Sequence, residues 1–184
     1  VAIVAVMLTA LTIAREWGQG SMEQLFATPV SRLEIVVVKL LPYLALGLVA
    51  VLLVIAVGVW VFGMPFRGDP ATLALASLLF VSGMLGQGLL ISTVARDQLV
   101  ATQVAAFSSL LPSLLLSNFI FPIENMPAPI QALTWAVPAR YYVEVLRGVL
   151  LRGNGLATMG PELLALAMFT VVVLALSTRR FRRE

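Results

Sequence analysis

Residues 35–62 read IVVVKLLPYLALGLVAVLLVIAVGVWVF, an apolar run in which Lys39 is the single charged residue. A helix needs about 20 apolar residues to cross the hydrocarbon core of a bilayer, so this run is long enough to span with tilt. Lys39 lies near one end, where its ammonium group can reach the interface. Pro42 predicts a kink near the start. The run therefore predicts a membrane-spanning helix.

The whole chain has the same apolar character, with 60% hydrophobic residues, 11% charged residues and a mean hydropathy of +1.01. Soluble domains carry about 25% charged residues. Four further apolar segments lie at 1–14, 71–94, 99–117 and 156–177. Segment 1–14 is too short to span and follows no basic region, so we expect the end of a longer helix rather than a signal peptide. The sequence predicts an all-α, polytopic transmembrane bundle with about five spans.

The distribution of basic residues predicts how the chain is oriented. If 15–34, 95–98 and the tail 178–184 share one side, that side, together with Lys39 near the start of 35–62, holds eight of the twelve basic residues. The other side holds Arg67, Arg140, Arg147 and Arg152. The positive-inside rule then places 15–34 and the C-terminus in the cytoplasm. The sequence pI of about 10.0 reflects this anchoring and does not predict nucleic-acid binding.

Residues 118–155 on the opposite side read NFIFPIENMPAPIQALTWAVPARYYVEVLRGVLLRGNG. The segment is too apolar for a solvated loop, and its four prolines break it too often for one span. It predicts two short helices, at about 128–137 and 139–151, that re-enter the membrane or lie on its outer face. Broken backbone at membrane depth needs shelter from protein or a water-lined cavity. We therefore expect an outer gate, with candidate residues Phe119, Phe121, Pro122, Ile123 and Met126.

Residues 15–34, REWGQGSMEQLFATPVSRLE, contain two helix-start signals. Ser21 to Gln24 and Ser31 to Glu34 each match a capping box. Pro29 between them ends the first helix near Thr28. The pattern predicts a short cytoplasmic helix with an apolar face. An interfacial helix that lies on the membrane is the alternative.

Polar side chains inside the apolar segments are candidate pathway residues. Gln87 lies among Gly83, Gly86 and Gly88, whose small size allows close helix contact. Polar side chains in hydrocarbon face protein or a cavity, so an interhelical hydrogen bond is an equally physical interpretation and the more common one. The same two interpretations apply along the fourth segment, with candidates Gln103, Ser108, Ser109 and Ser113.

Arg140, Glu144 and Arg147 follow one another at spacings of four and three, which place them on one stripe of a helix. This spacing predicts structural ion pairs at the outer interface, with substrate binding as the less common alternative.

Several chemistries are excluded by the residues themselves. The chain has no cysteine and no histidine, so disulfides and the commonest metal ligand and general base are absent. No G-x-x-x-x-G-K-[ST] motif occurs and Lys39 is the sole lysine, so the chain cannot hold ATP through a P-loop. No catalytic residue and no metal ligand set is predicted, and no cofactor is expected in this chain.

The chain resembles the ABC-2 type permeases, the membrane subunits of bacterial ABC exporters, and within them the multidrug-type branch. The likeness covers nearly the whole chain. It rests on Arg15-Glu16, Gly20, Glu23-Gln24-Leu25, Thr28-Pro29-Val30, the FPIENMP run at 121–127, Pro138-Ala139-Arg140-Tyr141 and Leu146-Arg147-Gly148. The resemblance implies six spans in a whole subunit, of which residues 1–14 would end the second. The first span and an external domain would then lie outside this chain.

The resemblance also implies a function and its partners. The chain would be the permease subunit of an ATP-driven exporter of the bacterial inner membrane, for drugs or other amphiphiles. It would pair with a second permease subunit and with ABC ATPases that bind ATP and magnesium. The resemblance also implies a cytoplasmic coupling helix in 15–34, which would contact the ATPase through Glu16, Gly20, Met22, Glu23, Leu25 and Phe26.

Two functions of other classes compete with this interpretation. A secondary transporter or channel is expected to carry intramembrane ionisable residues or an internal repeat, and the sequence contains neither. A non-transporting membrane anchor for a partner enzyme is disfavoured by Gln87 and by the broken outer segment.

Overall fold

Several described helices in this protein begin at an aspartate cap or a proline. A computed structural model describes residues 2–18, 32–95, 97–118, 120 and 122–180. Asp69 precedes Pro70 and accepts from the backbone N–H groups of Ala71 at 3.1 Å and Thr72 at 3.2 Å. These bonds, and above all the one from the Thr72 hydroxyl at 2.9 Å, hold the pKa of the Asp69 carboxyl below its usual value. Asp97 caps the next helix in the same way.

The described residues form helices joined by short connections, which confirms the predicted all-α class. The α-helices are α1 (Ala2–Gly18), α2 (Arg32–Trp60), α3 (Pro70–Val94), α4 (Gln98–Leu115), α5 (Ala128–Thr134), α6 (Pro138–Arg147) and α7 (Gly160–Arg180). A 3₁₀ turn, Ile123–Asn125, precedes α5, and a π turn, Gly148–Arg152, continues α6.

Four of the described helices are long and apolar enough to cross a membrane: Leu40–Trp60, Pro70–Val94, Gln98–Leu115 and Gly160–Arg179. A shorter apolar helix, Ile3–Arg15, lies within α1. The apolar segment predicted to begin at 156 becomes helical at Gly160, because Pro161 fits the first turn of a helix, where its missing N–H costs no bond.

Chain order places the connections at two ends of the bundle. One end, which we call the basic end, contains the last turn of α1, the start of α2, Ala95 and the end of α7. The other end, with 61–69 and 116–159, is the cavity end. α3 lies at the centre and packs against α1, α2, α6 and α7, whereas α4 packs chiefly against α1.

Helices α3 and α7 run parallel and are joined by two hydroxyl groups. Thr170 Oγ1 donates to the carbonyl oxygen of Leu79 at 2.8 Å, and Ser177 Oγ donates to that of Gly86 at 3.1 Å. Both hydroxyls are buried and also lie 2.8 Å from a carbonyl four residues back in α7. Donors and acceptors are each seven residues apart, which fixes the register of the two helices.

Small residues allow this close packing. A Cβ atom on Gly83 would lie 3.0 Å from both the Phe169 ring and Thr170 Oγ1. On the opposite side of α3, a Cβ on Gly88 would lie 2.6 Å from the carbonyl oxygen of Val6 in α1. The stripe of small residues therefore serves helix contact, as expected in a membrane bundle.

The short helix α6 is fixed on α3 by an aromatic pair. The rings of Phe80 and Tyr142 are stacked with centroids 4.2 Å apart and planes 1° from parallel. The Tyr142 hydroxyl lies 3.0 Å from Ser77 Oγ, where either oxygen can donate. All three residues are buried. The predicted short helices 128–137 and 139–151 correspond to α5, and to α6 with its π turn, so α6 is a docked element of the core.

Substitution of Gly88 by alanine tests the α1–α3 contact. The new methyl group meets backbone and not a flexible side chain, so the helices must separate, at a cost of about 1–3 kcal/mol for overpacking. We expect a lower melting temperature for the purified protein in detergent.

Gly155→Ala is the matched control, because no atom lies within 4 Å of a Cβ built there. Equal melting temperatures for the two variants would contradict the close contact.

Candidate transport pathway and cavity

The predicted ATPase-coupling surface falls mainly outside the described residues. Gly20, Met22, Glu23, Leu25 and Phe26 all belong to 19–31, which the structure does not describe. Glu16 belongs to the last turn of α1. Its backbone therefore leads into this region from the basic end of the bundle. The docking function of the segment stays a prediction.

Gln87 forms a bond between helices. Its Nε2 donates to Ser108 Oγ of α4 at 3.4 Å, and both side chains are half-buried. Ser109 is buried and donates to the carbonyl oxygen of Ala105 in its own helix at 2.7 Å. The geometry of these two candidates favours a structural over a pathway function.

Gln103 differs from the other candidates because it is exposed. It lies on an apolar helix one turn before Phe107, which is 63% exposed. An exposed amide among lipid chains is costly. This face of α4 is therefore the best described candidate for a surface that meets a second subunit or a water-filled pathway.

The chain turns sharply after α4 at Asn118. This residue has a φ of 63° in the left-handed region, which asparagine tolerates better than most residues. Its Oδ1 accepts from the backbone N–H of Ile123 at 3.3 Å, and its carbonyl oxygen accepts from Arg147 Nη2 at 2.8 Å. Asn118 thus ties the start of the predicted gate to α6.

The described gate candidates do not form one buried cluster. Pro122 is exposed, Ile123 is half-buried and lines a cavity, and Met126 is half-buried. The carbonyl oxygen of Met126 accepts from Gln131 Nε2 at 2.9 Å, which fixes the turn to α5. The other two candidates, Phe119 and Phe121, lie outside the described residues.

Ion pairs among Arg140, Glu144 and Arg147 were predicted, and this prediction is corrected. In the described part of the chain, each of the three residues has a different partner. Glu144 Oε1 accepts from Arg152 Nη1 at 3.1 Å. Arg147 donates to Asn118. The spacing argument fails because the wider π turn after α6 brings Arg152 round to the face of Glu144. The pair is exposed enough that it stabilises the fold by at most about 1 kcal/mol.

Arg140 is held by α5 rather than by an acid. Its Nη1 donates to the Thr134 hydroxyl, and its guanidinium lies 4.7 Å from the centre of the Trp135 ring. A guanidinium over an indole face is a favourable cation–π arrangement. Tyr141 adds a bond from its hydroxyl to the Trp135 carbonyl oxygen at 2.8 Å. Arg140 therefore joins α5 to α6.

A cavity of about 700 Å³ opens where these elements meet the start of α7. Its volume is in the range that holds a drug-sized molecule. Three of the chain's nine acidic residues line it, together with Arg140, two aromatic rings and an apolar strip of α7. The lining residues are Asn118, Ile123, Glu124, Trp135, Arg140, Tyr141, Glu144, Pro161, Glu162, Leu164, Ala165 and Met168.

Sequence reasoning missed the contributions of Asn118, Trp135 and Glu162 to this cavity. The Asn at the end of an apolar run was an available signal for a left-handed turn. Glu162 gave no such signal, because an acid in the first turn of a helix is ordinary. Its place in the cavity depends on how α7 packs against α6.

The described residues contain no group of three His, Cys, Asp or Glu side chains placed to hold a metal ion.

These features define an all-α membrane protein that crosses the bilayer several times. The chain belongs to the ABC-2 family transporter proteins, whose family model matches residues 1–179.

Similar proteins carry permease names. The chain is 42% identical over 182 residues to the probable multidrug ABC transporter permease YbhS of Escherichia coli K12, covering 99% of this chain and 48% of that protein. It is 30% identical over 178 residues to the probable multidrug ABC transporter permease YbhR of the same strain, covering 97% and 48%. The inner membrane transport permease YhhJ is 28% identical over 193 residues, covering 100% and 49%.

The chain spans about half the length of these relatives. No solved structure matches it at a significant level.

A double-mutant cycle of Gln87→Leu and Ser108→Ala distinguishes the two interpretations of Gln87. If the interhelical bond is its main function, each single change lowers the free energy of unfolding by about 0.5–1.5 kcal/mol. The double change then costs little more than either one alone, as measured by denaturation in detergent.

Additive effects on stability would contradict the bond. Gln103→Leu is the control, because its exposed amide forms no described hydrogen bond with Gln87 or Ser108. Its effect on stability should therefore add to that of either single change.

Proposed function

We propose that this chain forms the transmembrane core of a permease subunit in an ATP-driven exporter of the bacterial inner membrane. The observation that carries the proposal is the match along nearly its whole length to probable multidrug ABC transporter permeases. The transported molecules would be drugs or other amphiphiles. ATP would be bound and hydrolysed by separate ATPase subunits, because the sequence has no P-loop.

Two permease subunits would form the pathway between them, surrounded by membrane lipid. The exposed Gln103 and Phe107 of α4 support this arrangement, since a second subunit or a wet pathway would cover the amide. In this proposal the basic end lies in the cytoplasm and the cavity end faces outward, following the arginine bias.

Movement would pass from the ATPase to the cavity through packed helices. Segment 19–31 would dock in a groove of the ATPase through the apolar face of Met22, Leu25 and Phe26. It follows α1, which packs against α3 and α4. α3 in turn is fixed to α6 by the Phe80–Tyr142 stack. A push at the basic end would thus reach the elements that line the cavity and the gate at 119–126.

Cysteine labelling tests the orientation. In a cysteine-free background, Met64→Cys and Asn125→Cys should react with a membrane-impermeant maleimide in intact cells. Gln98→Cys, on the exposed start of α4, should react only after the membrane is permeabilised.

A C-terminal cysteine after Glu184 serves as a second cytoplasmic marker. Its labelling in intact cells would exclude the proposed orientation.

The coupling function is tested by the double change Leu25→Ala with Phe26→Ala. Loss of a buried aromatic anchor costs roughly 1–3 kcal/mol of binding free energy. The variant should stay in the membrane at a normal level, while co-purification of the ATPase and ATP-dependent efflux both fall.

Val61→Ala with Phe62→Ala is the matched control. It removes two adjacent apolar side chains that are exposed at the cavity end. If Leu25→Ala with Phe26→Ala leaves ATPase binding and efflux normal, the segment is a connecting loop and the coupling proposal fails.

A further inference from the structure

The cavity at the start of α7 carries more acid than base. Glu124, Glu144 and Glu162 line it. Two arginines balance part of this charge: Arg152, which bonds to Glu144, and Arg140. The described lining residues thus carry three carboxylates and one guanidinium group, while Arg152 and Arg147, outside the lining, bond to the Glu144 carboxylate and to the Asn118 carbonyl oxygen. We propose that this cavity binds a cationic amphiphile, an organic cation with an apolar body. The inference rests on the proposed export function for its physiological purpose.

Glu162 is the residue that points to a ligand. Its Oε2 is shielded from solvent and accepts no hydrogen bond in the described part of the chain. A buried polar atom left without a partner is unfavourable, and more so if it is charged. Its position in the first turn of α7 gives a favourable interaction with the helix dipole, but the dipole supplies no donor to this oxygen. The charge of this carboxylate, which no salt bridge neutralises among the described residues, would attract a cationic group in the cavity.

The neighbouring arginines have other partners. Arg140 donates to Thr134 and covers the Trp135 ring, and Arg152 is bonded to Glu144. Among the described residues, neither Glu124 nor Glu162 takes part in a salt bridge. No arginine among the described residues therefore neutralises these two carboxylates.

The apolar side of the cavity suits the body of such a ligand. Leu164 and Met168 lie one turn apart on α7 and are 72% and 68% exposed. Ile123 lines the cavity with them. Methionine adapts to ligands of different shape, as at other promiscuous binding surfaces. The mixture of a carboxylate wall and a flexible apolar wall fits an amphiphile better than a small polar ion.

A bare metal ion fits the cavity less well. The described carboxylates are not grouped closely enough to surround one. A cavity of about 700 Å³ instead leaves room for a molecule whose charge contacts one wall and whose body contacts the other.

Two probes of nearly the same size and shape but opposite charge test the inference. Binding of tetraphenylphosphonium and tetraphenylborate is measured on the full-length permease in nanodiscs, without ATPase or nucleotide. Glu162→Gln should weaken tetraphenylphosphonium binding about tenfold, which corresponds to about 1.4 kcal/mol. Tetraphenylborate binding should stay the same or become tighter. Glu124→Gln, a change at an exposed side chain, should act in the same direction if Glu162→Gln does not fold.

Asp97→Asn is the matched control. It neutralises a carboxylate in a helix-capping position at the basic end, and asparagine caps helices as well as aspartate does. It should leave both probes unaffected. Unchanged tetraphenylphosphonium binding in Glu162→Gln and Glu124→Gln would overturn the inference, as would an equal loss for both probes. Because no ATPase is present, this result is independent of the coupling experiment: either proposal can fail while the other holds.

Discussion

Two hydrogen bonds fix the centre of this protein: Thr170 to Leu79 and Ser177 to Gly86. They pair donors seven residues apart with acceptors seven residues apart, so a shift of α7 along α3 would break both at once. In hydrocarbon no water would replace them, and each hydroxyl would keep only its contact with the carbonyl oxygen four residues back in α7. The fixed register places the start of α7 beside α6, and hence Glu162 beside the cavity. The arrangement of the cavity end therefore depends on this contact between α3 and α7.

The described helices differ in how far they are buried. α3 is buried over much of its length, whereas most residues of the span Leu40–Trp60 in α2 are exposed or half-buried. In a membrane, exposed leucine and valine meet lipid chains at no cost, since there is no hydrophobic force between helices there. The apolar face of α2 therefore needs no protein partner to explain it, and the polar Gln103 on α4 is the more informative exposed residue.

The helices could be predicted from the sequence because bilayer thickness sets the length of each apolar run. The two hydrogen bonds between α7 and α3 could not be predicted. Thr170 and Ser177 look ordinary in an apolar helix, where their hydroxyls can bond within the helix. The stripe of Arg140, Glu144 and Arg147 misled for a related reason: spacing gives proximity on an ideal α-helix, but the π turn changes the partners. The cavity is assembled from segments distant in sequence, so only its separate parts were visible beforehand.

At the cavity end, the connection 61–69 lies against the residues that follow α6, and the two segments form one surface. A Cβ on Gly68 would lie 2.6 Å from the Val149 carbonyl oxygen and 2.8 Å from that of Asn154. Gly153, with a φ of 73°, packs against Arg67 in return. An antibody or nanobody raised against the folded protein at this point would therefore recognise a discontinuous epitope. Peptides copied from either loop alone would not compete for it, which makes such a binder a reporter of the native fold.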